Sequence, residues 1–370
     1  MRQKYTLTIM PDLHENINDL DLLATKIKAW GNDLGFQKVS IVKPDLKNAS
    51  HKLKIWLDQK YHGSMDWMEK HGEKRYVPEK LVERTVRVIS LRMNYLSDNK
   101  MIAVLKDDNK AYISRYALGS DYHKIIRKKL STLAKQIEKE IPTKNINQRA
   151  FVDSAPVLEK PIAAQGGLGW IGKNTLLIDD SDGSWFFLGE IYTSIPLPPD
   201  NKKTQNLCGK CNACLRVCPT NAFPEPYVLD AKKCISYQTI ENKREIPIEI
   251  RPLMGNRVFG CDDCQIWCPW NRQPSQASED IFKPKHNLDN ESLLSLFNWS
   301  ELEFNEKTLG SPIKRIGYER WLRNLAVGLG NAPGCPEILE SLKERKKGSS
   351  PLLEEHISWA IDEQIRKLSS

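Results

Sequence analysis

Apolar residues along the first half of the chain repeat with the periods of helices and strands. A helix is predicted over residues 18–35, where apolar positions recur every three or four residues: Leu20, Leu23, Ile27 and Trp30. A short strand is predicted at 38–43 and a second helix at 50–61. The runs 86–91 and 185–191 are largely apolar, which is typical of buried strands. This alternation predicts an α/β N-terminal region.

Two further stretches of this region carry candidate functional residues. Ligand-binding residues gather at the carboxyl ends of strands in α/β sheets, and Tyr95 stands shortly after the strand predicted at 86–91. A long helix is predicted to begin at Asp121 and to end at Pro142. Its apolar positions are Ile126, Leu130, Leu133 and Ile137.

The last part of the chain, from Lys283 onward, has the pattern of short amphipathic helices separated by Asn, Pro and Gly. Three apolar faces recur, at Trp321, Leu322, Leu325 and Leu329, at Ile338, Leu339 and Leu342, and at Leu353, Ile357, Ala360, Ile361 and Ile365. The pattern predicts a HEAT-like helical module. Arg315, Arg320 and Arg323 are candidates to face phosphates there, although an ordinary solvated face is the commoner arrangement.

Length and charge narrow the possible classes of protein. A chain of 370 residues predicts two or three domains. Its 40% hydrophobic and 28% charged residues are ordinary for a soluble globular protein. No stretch approaches the ~20 apolar residues of a membrane span, and the N-terminus shows no export signal, so we expect a cytoplasmic protein. The net charge of +8 is compatible with a polyanionic partner without establishing one.

Eight of the nine cysteines form one spaced series. It reads Cys208-x-x-Cys211-x-x-Cys214-x-x-x-Cys218-Pro219, then Cys234, then Cys261-x-x-Cys264-x-x-x-Cys268-Pro269. The first run has the bacterial-ferredoxin spacing, in which three cysteines bind one [4Fe–4S] cluster and the fourth binds its neighbour. In the second run Val258 stands where the first cysteine is expected, and Cys234 is the obvious replacement.

Two ligand sets follow from this spacing. One set is Cys208, Cys211, Cys214 and Cys268, and the other is Cys218, Cys234, Cys261 and Cys264. Cys335 is left over. Zinc also accepts four cysteines, but its sites show paired C-x-x-C motifs without this three-step run into Cys-Pro. Disulfides suit short secreted chains and not this one.

The most unusual stretches without cysteine are 151–156 and 165–175. The second has four glycines in seven residues, which let a backbone pass close to a ligand, and Lys173 is placed to meet a phosphate or carboxylate. It matches neither a P-loop nor the dinucleotide motif G-x-G-x-x-G after a strand. A glycine-rich stretch taken alone marks a turn more often than a site.

Two ferredoxin-type clusters behind a large N-terminal domain, with helical repeats last, resemble the tRNA epoxyqueuosine reductase family. The matching stretches are 117–123 (ALGSDYH), 152–156 (VDSAP), 167–174 (GLGWIGKN), 234–241 (CISYQTIE) and 254–257 (MGNR). The resemblance covers essentially the whole chain, and no cluster ligand is missing.

The resemblance implies an enzyme that reduces the epoxide of epoxyqueuosine at the tRNA wobble position, giving queuosine and water. It implies cobalamin beside the nearer cluster, in a nitroreductase-like α/β domain akin to that of reductive dehalogenases. The fold class expected is a multidomain α+β chain: a cobalamin-binding domain at 1–200, a ferredoxin-like domain at 201–282 and HEAT-like helices at 283–370.

The resemblance also implies site residues, with Asp121 as the proton donor. The expected cobalamin contacts are Tyr95, Asp121, Asp153, Ser154, Gly167, Lys173, Ser236 and Gln238. Opening the epoxide and losing its oxygen needs two electrons and two protons, so a carboxyl whose pKa is raised by burial suits the role. The alternative for Asp121 is an N-cap of the following helix, and both can hold.

A histidine ligand below the cobalt is not predicted. Asp12-Leu13-His14 and Asp121-Tyr122-His123 both begin the D-x-H of the cobalamin motif D-x-H-x-x-G, but neither is followed by its glycine. The rival functions are a cobalamin-dependent small-molecule reductase and a non-enzymatic electron-transfer subunit. The expected partners are tRNA carrying epoxyqueuosine and an external flavodoxin- or ferredoxin-type donor, with no membrane and a monomeric chain.

Overall fold

The computed structural model describes residues 17–97, 100–141, 145–202 and 204–369. The segment containing Asp12 and His14, and the predicted helix stop at Pro142, lie outside the described residues. Eight strands are described: β1 (Lys38–Val42), β2 (Arg87–Asn94), β3 (Tyr112–Ile113), β4 (Gln148–Phe151), β5 (Trp170–Ile171), β6 (Leu177–Ile178), β7 (Phe186–Thr193) and β8 (Arg257–Phe259).

The helices of the described part divide between the two halves of the chain. The first half contains α1 (Ile17–Asp33), α2 (Lys47–Asp58), α3 (Trp67–Lys70), α4 (Pro78–Leu81), α5 (Met101–Leu105), α6 (Tyr122–Lys139) and α7 (Glu159–Gln165). The second half contains α8 (Ala213–Arg216), α9 (Ile235–Ile240), α10 (Arg251–Met254), α11 (Asp263–Ile266), α12 (Leu293–Phe297), α13 (Glu301–Lys307), α14 (Gly317–Asn331), α15 (Pro336–Lys346) and α16 (Pro351–Leu368).

A four-stranded sheet of order β1-β2-β7-β4 organises the N-terminal region. The predicted strands at 38–43, 86–91 and 185–191 are confirmed, and β2 continues to Asn94. Every strand pair of this four-stranded sheet is antiparallel, with Ser90 opposite Glu190. The rule that placed Tyr95 among ligand contacts applies to parallel strands, whose carboxyl ends share one edge. In this sheet those ends alternate between two edges, so the rule does not apply.

The two faces of the sheet are covered by different helices. Ile89 and Ile191 pack with α1 and α6 on one face, because alternate residues of a strand point to opposite sides. Val88 and Tyr192 pack on the other face with Ile162 of α7. The result is a layered mixed α/β structure in which the central strands β2 and β7 are covered on both faces.

In the C-terminal region α16 packs against both α14 and α15. Their apolar core also takes in Ala111, Ile113, Ala117 and Leu118 from the N-terminal half, and Phe259 from the cysteine-rich region. The parallel pair β3–β8 joins the same two regions. Packing therefore crosses both predicted domain boundaries. Among the described residues, no helix has the length and apolar character to cross a membrane.

Candidate functional site

The first cysteine set surrounds a cavity of about 230 Å³. All four predicted members line it: Cys208, Cys211, Cys214 and Cys268. Burial, together with the neighbouring thiols of Cys268, Cys208 and Cys211, raises the pKa of the Cys214 thiol to about 11. The donor set and the space between the sulfurs fit a four-thiolate cluster.

The members of the second set, Cys218, Cys234, Cys261 and Cys264, also lie close together. Burial raises the pKa of the Cys264 thiol well above its ordinary value, and the thiols of Cys234 and Cys218 raise it further. Burial and the Asp263 carboxylate raise the pKa of Cys261, with a smaller contribution from Cys234. The fold thus brings together the four cysteines grouped by spacing. No three His, Cys, Asp or Glu side chains in the described segments converge on a single-ion site.

Polar contacts fix the loop of the first cysteine set. The Lys173 ammonium donates to the carbonyls of Gly209 at 2.7 Å and Cys211 at 2.8 Å. The indole Nε1 of Trp170 donates to the Cys208 sulfur at 3.4 Å. Lys173, predicted as a cobalamin contact, has its ammonium engaged by the carbonyls of the cysteine loop, and its contact with cobalamin stays a prediction.

Asp262 ties the second set to the segment that precedes Asp121. This carboxylate is 2% exposed and accepts from Tyr112 Oη at 2.8 Å, Ser114 Oγ at 2.5 Å and the Arg115 N–H at 2.9 Å. Three donors satisfy the acceptors of a carboxylate whose pKa is nevertheless raised by burial. The contact holds residues 112–115 against the loop between Cys261 and Cys264.

Asp121 is the N-cap of α6. Its extended backbone and its Oδ1, which accepts from the His123 N–H at 3.1 Å, satisfy one of the free donors at the helix start. The same oxygen lies 2.7 Å from Nδ1 of His123. The capping alternative is therefore correct, and the cap is also part of a larger network.

That network joins His123 to a second aspartate and a tyrosine. Asp153 Oδ2 lies 3.0 Å from Nε2 of His123 and accepts from the Tyr122 hydroxyl at 2.6 Å. Asp153 has a φ of +49°, a left-handed conformation that non-glycine residues rarely adopt. Such strain is found where the surroundings impose it, frequently at functional sites.

Arg315, from the C-terminal half, completes the network. Its Nη1 lies 3.1 Å from Nε2 of His123, and its Nη2 lies 3.7 Å from Asp121 Oδ2. The Arg315 side chain is half exposed, so it faces an open side of the network. One cation, one imidazole and two carboxylates thus meet from three distant segments of the chain.

The charges decide where the proton of this network resides. Burial opposes ionisation of Asp121, but the hydrogen bonds from His123 and the charge of Arg315 outweigh it and lower the Asp121 pKa. Burial alone would lower the His123 pKa, but its bonds to Asp121 and Asp153 raise it. The acid role required burial to raise the Asp121 pKa on balance; instead the net shift of the Asp121 pKa is downward and that of the His123 pKa is upward.

Protonation of the His123 ring determines which residue bonds to its Nε2 atom. Nδ1 carries a hydrogen when it bonds to the Asp121 carboxylate, since a carboxylate only accepts. Nε2 faces a donor, Arg315, and an acceptor, Asp153. With a proton on Nε2 the imidazolium donates to Asp153, and without it Nε2 accepts from Arg315. The pair of distances describes a group that can take up and release a proton in place.

Two more carboxyls lie behind Asp153. Desolvation and the nearby charge of Asp153 raise the pKa of Glu159 to about 8. Glu190 of β7 is 0% exposed, and neither of its oxygens has a hydrogen-bond partner among the described residues. Burial raises its pKa well above the ordinary value. Glu190 is therefore held as a neutral acid, since an unpaired buried charge is far more costly.

The remaining predicted cobalamin contacts do not meet at this network. Tyr95 is 6% exposed and packs edge-on against Trp185 in the core of the sheet. Gln238 is 2% exposed, with its amide nitrogen donating to Lys232 O and its oxygen accepting from Asn242. Core packing and internal hydrogen bonds engage these two side chains, and their contact with cobalamin stays a prediction.

Three other predicted residues have local roles or open surroundings. Gly167 has a φ of +75° and approaches the backbone of Lys202 so closely that a Cβ would lie 2.7 Å from its carbonyl oxygen. This glycine is required by a turn. Ser154 is exposed beside Asp153, and Ser236 is half-buried in the first turn of α9, two residues after Cys234.

The two arginines of α14 differ in exposure, since Arg323 is buried and Arg320 is half-buried. Arg323 is 0% exposed, and its guanidinium donates to the carbonyls of Gln238, Asn242 and Arg244. Arg320 donates to the carbonyl of Ile240 at 2.8 Å. Both hypotheses for Arg323 are wrong, because the cysteine-rich region packs over this face of α14.

Sequence reasoning did not predict the contact between His123 and Arg315 in this network. The D-Y-H order contains a usable signal, since a residue two positions after an N-cap lies beside the capping side chain. No signal in the sequence connects Arg315 with Asp121, because their proximity depends on the whole fold.

The chain is similar to proteins of one family along almost all its length. The family model described as "Epoxyqueuosine reductase QueG, DUF1730" matches residues 75–154, and "4Fe-4S double cluster binding domain" matches 207–271. The epoxyqueuosine reductase of Pseudomonas aeruginosa is 57% identical over 340 residues, covering 92% of this chain and 94% of that protein. That of Escherichia coli is 53% identical over 350 residues, covering 94% and 91%.

The solved structures that resemble this chain include epoxyqueuosine reductases as well. An epoxyqueuosine reductase crystallised with a tRNA-Tyr epoxyqueuosine-modified stem loop has a TM-score of 0.86 at 26% identity, covering 93% of this chain and 91% of that one. The Bacillus subtilis epoxyqueuosine reductase, with an aspartate-bearing catalytic loop swung out of its active site, has a TM-score of 0.85 at 25% identity, with the same coverage.

Proposed function

The chain belongs to the epoxyqueuosine reductase family, and we propose that its reaction is centred on the network of Asp121, His123, Asp153 and Arg315. The protein is an oxidoreductase that reduces the epoxide of epoxyqueuosine at the wobble position of tRNA to queuosine. It uses cobalamin and electrons relayed by two [4Fe–4S] clusters. A small-molecule reductase and an electron-transfer subunit are not favoured.

The observation that carries this proposal is the closeness of the network to the second cysteine set. Tyr116 makes edge and tilted ring contacts with Tyr122, at 6.1 Å, and with Phe259, at 6.2 Å between centroids. Phe259 stands two residues before Cys261, and Tyr122 stands between Asp121 and His123. Only a few side chains therefore separate the network of Asp121 and His123 from the second cysteine set. Such closeness suits a reaction that needs protons and electrons at the same place.

We assign the cofactors to residues by their donor chemistry. The first cluster takes Cys208, Cys211, Cys214 and Cys268, and the second takes Cys218, Cys234, Cys261 and Cys264. When bound, the clusters supply single electrons and the cobalamin supplies a low-valent cobalt that donates electrons to the substrate. Polar groups of Asp153, Ser154 and Arg315 on the open side suit the amide-rimmed corrin ring. Both ring nitrogens of His123 are engaged, which fits a cobalt without this imidazole below it.

Asp121 and His123 divide the acid role in this proposal. The proton held by His123 passes across the 2.7 Å contact at Nδ1 to the Asp121 carboxylate, which delivers it to the departing epoxide oxygen. Asp153 steadies the imidazolium through Nε2, at 3.0 Å. Two protons are consumed per epoxide, so a donor that is recharged in place suits the reaction. The aspartate-bearing catalytic loop of the Bacillus subtilis neighbour supports an aspartate in this role.

The finer architecture and partners are also proposals. We assign a nitroreductase-like cobalamin domain to residues 1–200, a ferredoxin-like domain to 201–282 and HEAT-like helices to 283–370. The packing of α16 against both α14 and α15 supports the last assignment. We also propose a monomeric cytoplasmic chain. An external flavodoxin- or ferredoxin-type donor is proposed because two electrons must be supplied for each epoxide.

The test is turnover of the natural nucleoside. The chain is purified without oxygen, reconstituted with iron, sulfide and cobalamin, reduced with dithionite and given tRNA that carries epoxyqueuosine. Mass analysis of the nucleosides is expected to show loss of one oxygen from the modified base, and omission of cobalamin is expected to abolish it. Unchanged epoxyqueuosine with fully loaded enzyme would contradict the proposal.

A further inference from the structure

One cysteine of the two cluster sets reaches the protein surface. Of the nine cysteines, all of them described, Cys211 alone is exposed, whereas its partners Cys208 and Cys214 are partly buried and Cys268 is buried. The second set has no exposed member. Because electron transfer weakens steeply with distance, the first set is the side of the relay that an outside reductant approaches most closely.

Large apolar side chains lie exposed around this set. Leu207, next to Cys208, is 37% exposed, and Trp267, next to Cys268, is 48% exposed. Tyr227 is 41% exposed and is linked to the same loop, since its hydroxyl accepts from Asn206 at 3.1 Å. Exposed aromatic and aliphatic side chains beside the ligands of one cluster are typical of a surface that binds another protein.

The segments next to these groups are mainly basic, with Glu225, two residues before Tyr227, as an exposed acidic exception. Between Asp200 and Glu225 the sequence contains no acidic residue, and its cationic residues are Lys202, Lys203, Lys210 and Arg216. Between Asp263 and Glu279 the one charged residue is Arg272. Lys210, beside Cys211, and Arg216 are exposed. A basic rim around apolar anchors complements a partner with an acidic face.

We propose that the surface formed by Leu207, Lys210, Cys211, Tyr227 and Trp267 docks an acidic one-electron carrier protein. The inference rests on the proposed function, because it assigns the entry point of the electrons used there. Each docking event oxidises one reduced carrier by one electron and passes that electron to the first cysteine set. Two events, with two protons from the network at His123, balance the conversion of one epoxide to an alkene and water.

A carrier protein fits this surface better than the tRNA substrate does. Nucleic acids are bound chiefly through phosphates by cationic and polar groups, whereas this surface has three large apolar side chains around one exposed sulfur ligand. The modified base must also reach the network at Asp121, which adjoins the second cysteine set. The first set is left for a different partner.

The experiment compares two reductants with the reconstituted holoenzyme. A reduced acidic flavodoxin is the carrier, and dithionite is the small reductant that needs no docking surface. The variants are Lys210→Glu and Trp267→Ala, and the control is Lys135→Glu, which makes the same charge change on an exposed position of α6. The dissociation constant of oxidised flavodoxin is measured directly by calorimetry at low and high salt.

Each variant is expected to weaken flavodoxin binding roughly tenfold, Lys210→Glu with a reduced salt dependence, because a rim charge and an aromatic anchor are lost. Flavodoxin-driven queuosine formation falls with it, and dithionite-driven formation and tRNA affinity stay unchanged. Unchanged flavodoxin binding, an equal loss with both reductants, or a loss of tRNA affinity instead would overturn the docking proposal. Failure of dithionite-driven turnover in the unmodified chain would count against the proposed function and not against the docking surface.

Discussion

The two functional regions of the molecule are assembled in opposite ways. The cysteine sets come from residues 208–268, and neighbouring loop contacts such as Lys173 to Gly209 hold them in place. The acid network instead takes Asp121, Asp153 and Arg315 from three segments far apart along the chain. Loss of one cysteine ligand should therefore remove a whole iron–sulfur cluster. Loss of one network residue should leave the cofactors bound and lower the rate of turnover.

The largest effect is expected from Cys234→Ser. A serine hydroxyl is a poor replacement for a thiolate, so one cluster should be lost and iron should fall from about eight to about four per chain. Queuosine formation should cease, since the relay is interrupted. Iron analysis and electron paramagnetic resonance after anaerobic reconstitution measure this. Cys335→Ser, which changes the one cysteine outside both sets, is the matched control and should keep all the iron.

The next largest effect is expected from Asp121→Asn, which tests the acid and the cap separately. Asparagine caps a helix about as well as aspartate, so iron, cobalamin and thermal stability should stay near wild type. Turnover should fall by ~10²–10⁴-fold, the usual contribution of general acid catalysis. Asp121→Ala should in addition lose ~0.5–2 kcal/mol of unfolding free energy with the cap. A folded Asp121→Asn variant with full activity would show that the carboxyl is a cap alone.

A smaller effect is expected from Arg315→Ala. The guanidinium lowers the pKa of Asp121 and also that of His123, so its removal should raise both. The protonated forms would then persist to higher pH, and the alkaline limb of the kcat profile should move upward. A half-exposed ion pair is worth ~1 kcal/mol or less, so the rate should change by about tenfold at most. Lys314→Ala is the control, because the Lys314 ammonium bonds to Asn305; an equal shift there would remove Arg315 from the network.

Glu190→Gln should leave turnover nearly unchanged and alter stability. The pKa of Glu190 in the folded protein lies above its value of ~4.3 in the unfolded chain. The contribution of Glu190 to the free energy of unfolding is therefore complete below pH ~4.3 and is lost as the pH rises toward the folded-state pKa. The neutral amide has no such dependence. Unfolding by denaturant at several pH values should show a shallower decline for the variant between about pH 5 and 8. Parallel curves for the two proteins would mean that Glu190 is ionised in the fold.

These contrasts also explain which features the sequence predicted. Cysteine spacing is a local property of the sequence, so the two sets of four cysteines could be assigned without knowledge of the fold. Helix periodicity placed α6 and its cap at Asp121 for the same reason. The antiparallel order of the sheet was not predictable from runs of apolar residues, because each strand looks alike in either direction.

Buried polar residues show a limit of sequence reasoning, and the wrong prediction for Arg323 is one result of it. Arg323 and Gln238 are polar residues whose partners are backbone carbonyls or side chains of other elements. A charge or an amide in a sequence indicates a need for hydrogen bonds, but not which group satisfies it. Lys173 was predicted to meet a phosphate or carboxylate, and in the structure its ammonium donates to carbonyls of the cysteine loop.

The bond from Ser114 to Asp262 has a consequence for the order of folding. The two residues are 148 positions apart, and the bond accompanies the parallel pair β3–β8. Contacts between such distant positions form slowly, because the intervening chain must first lose its freedom. On a ribosome, residues 112–115 must wait for the segment at 257–264 to be synthesised before either can settle. The loop of Cys261 and Cys264 is thus among the last parts to mature, and cluster insertion there belongs to the end of biogenesis.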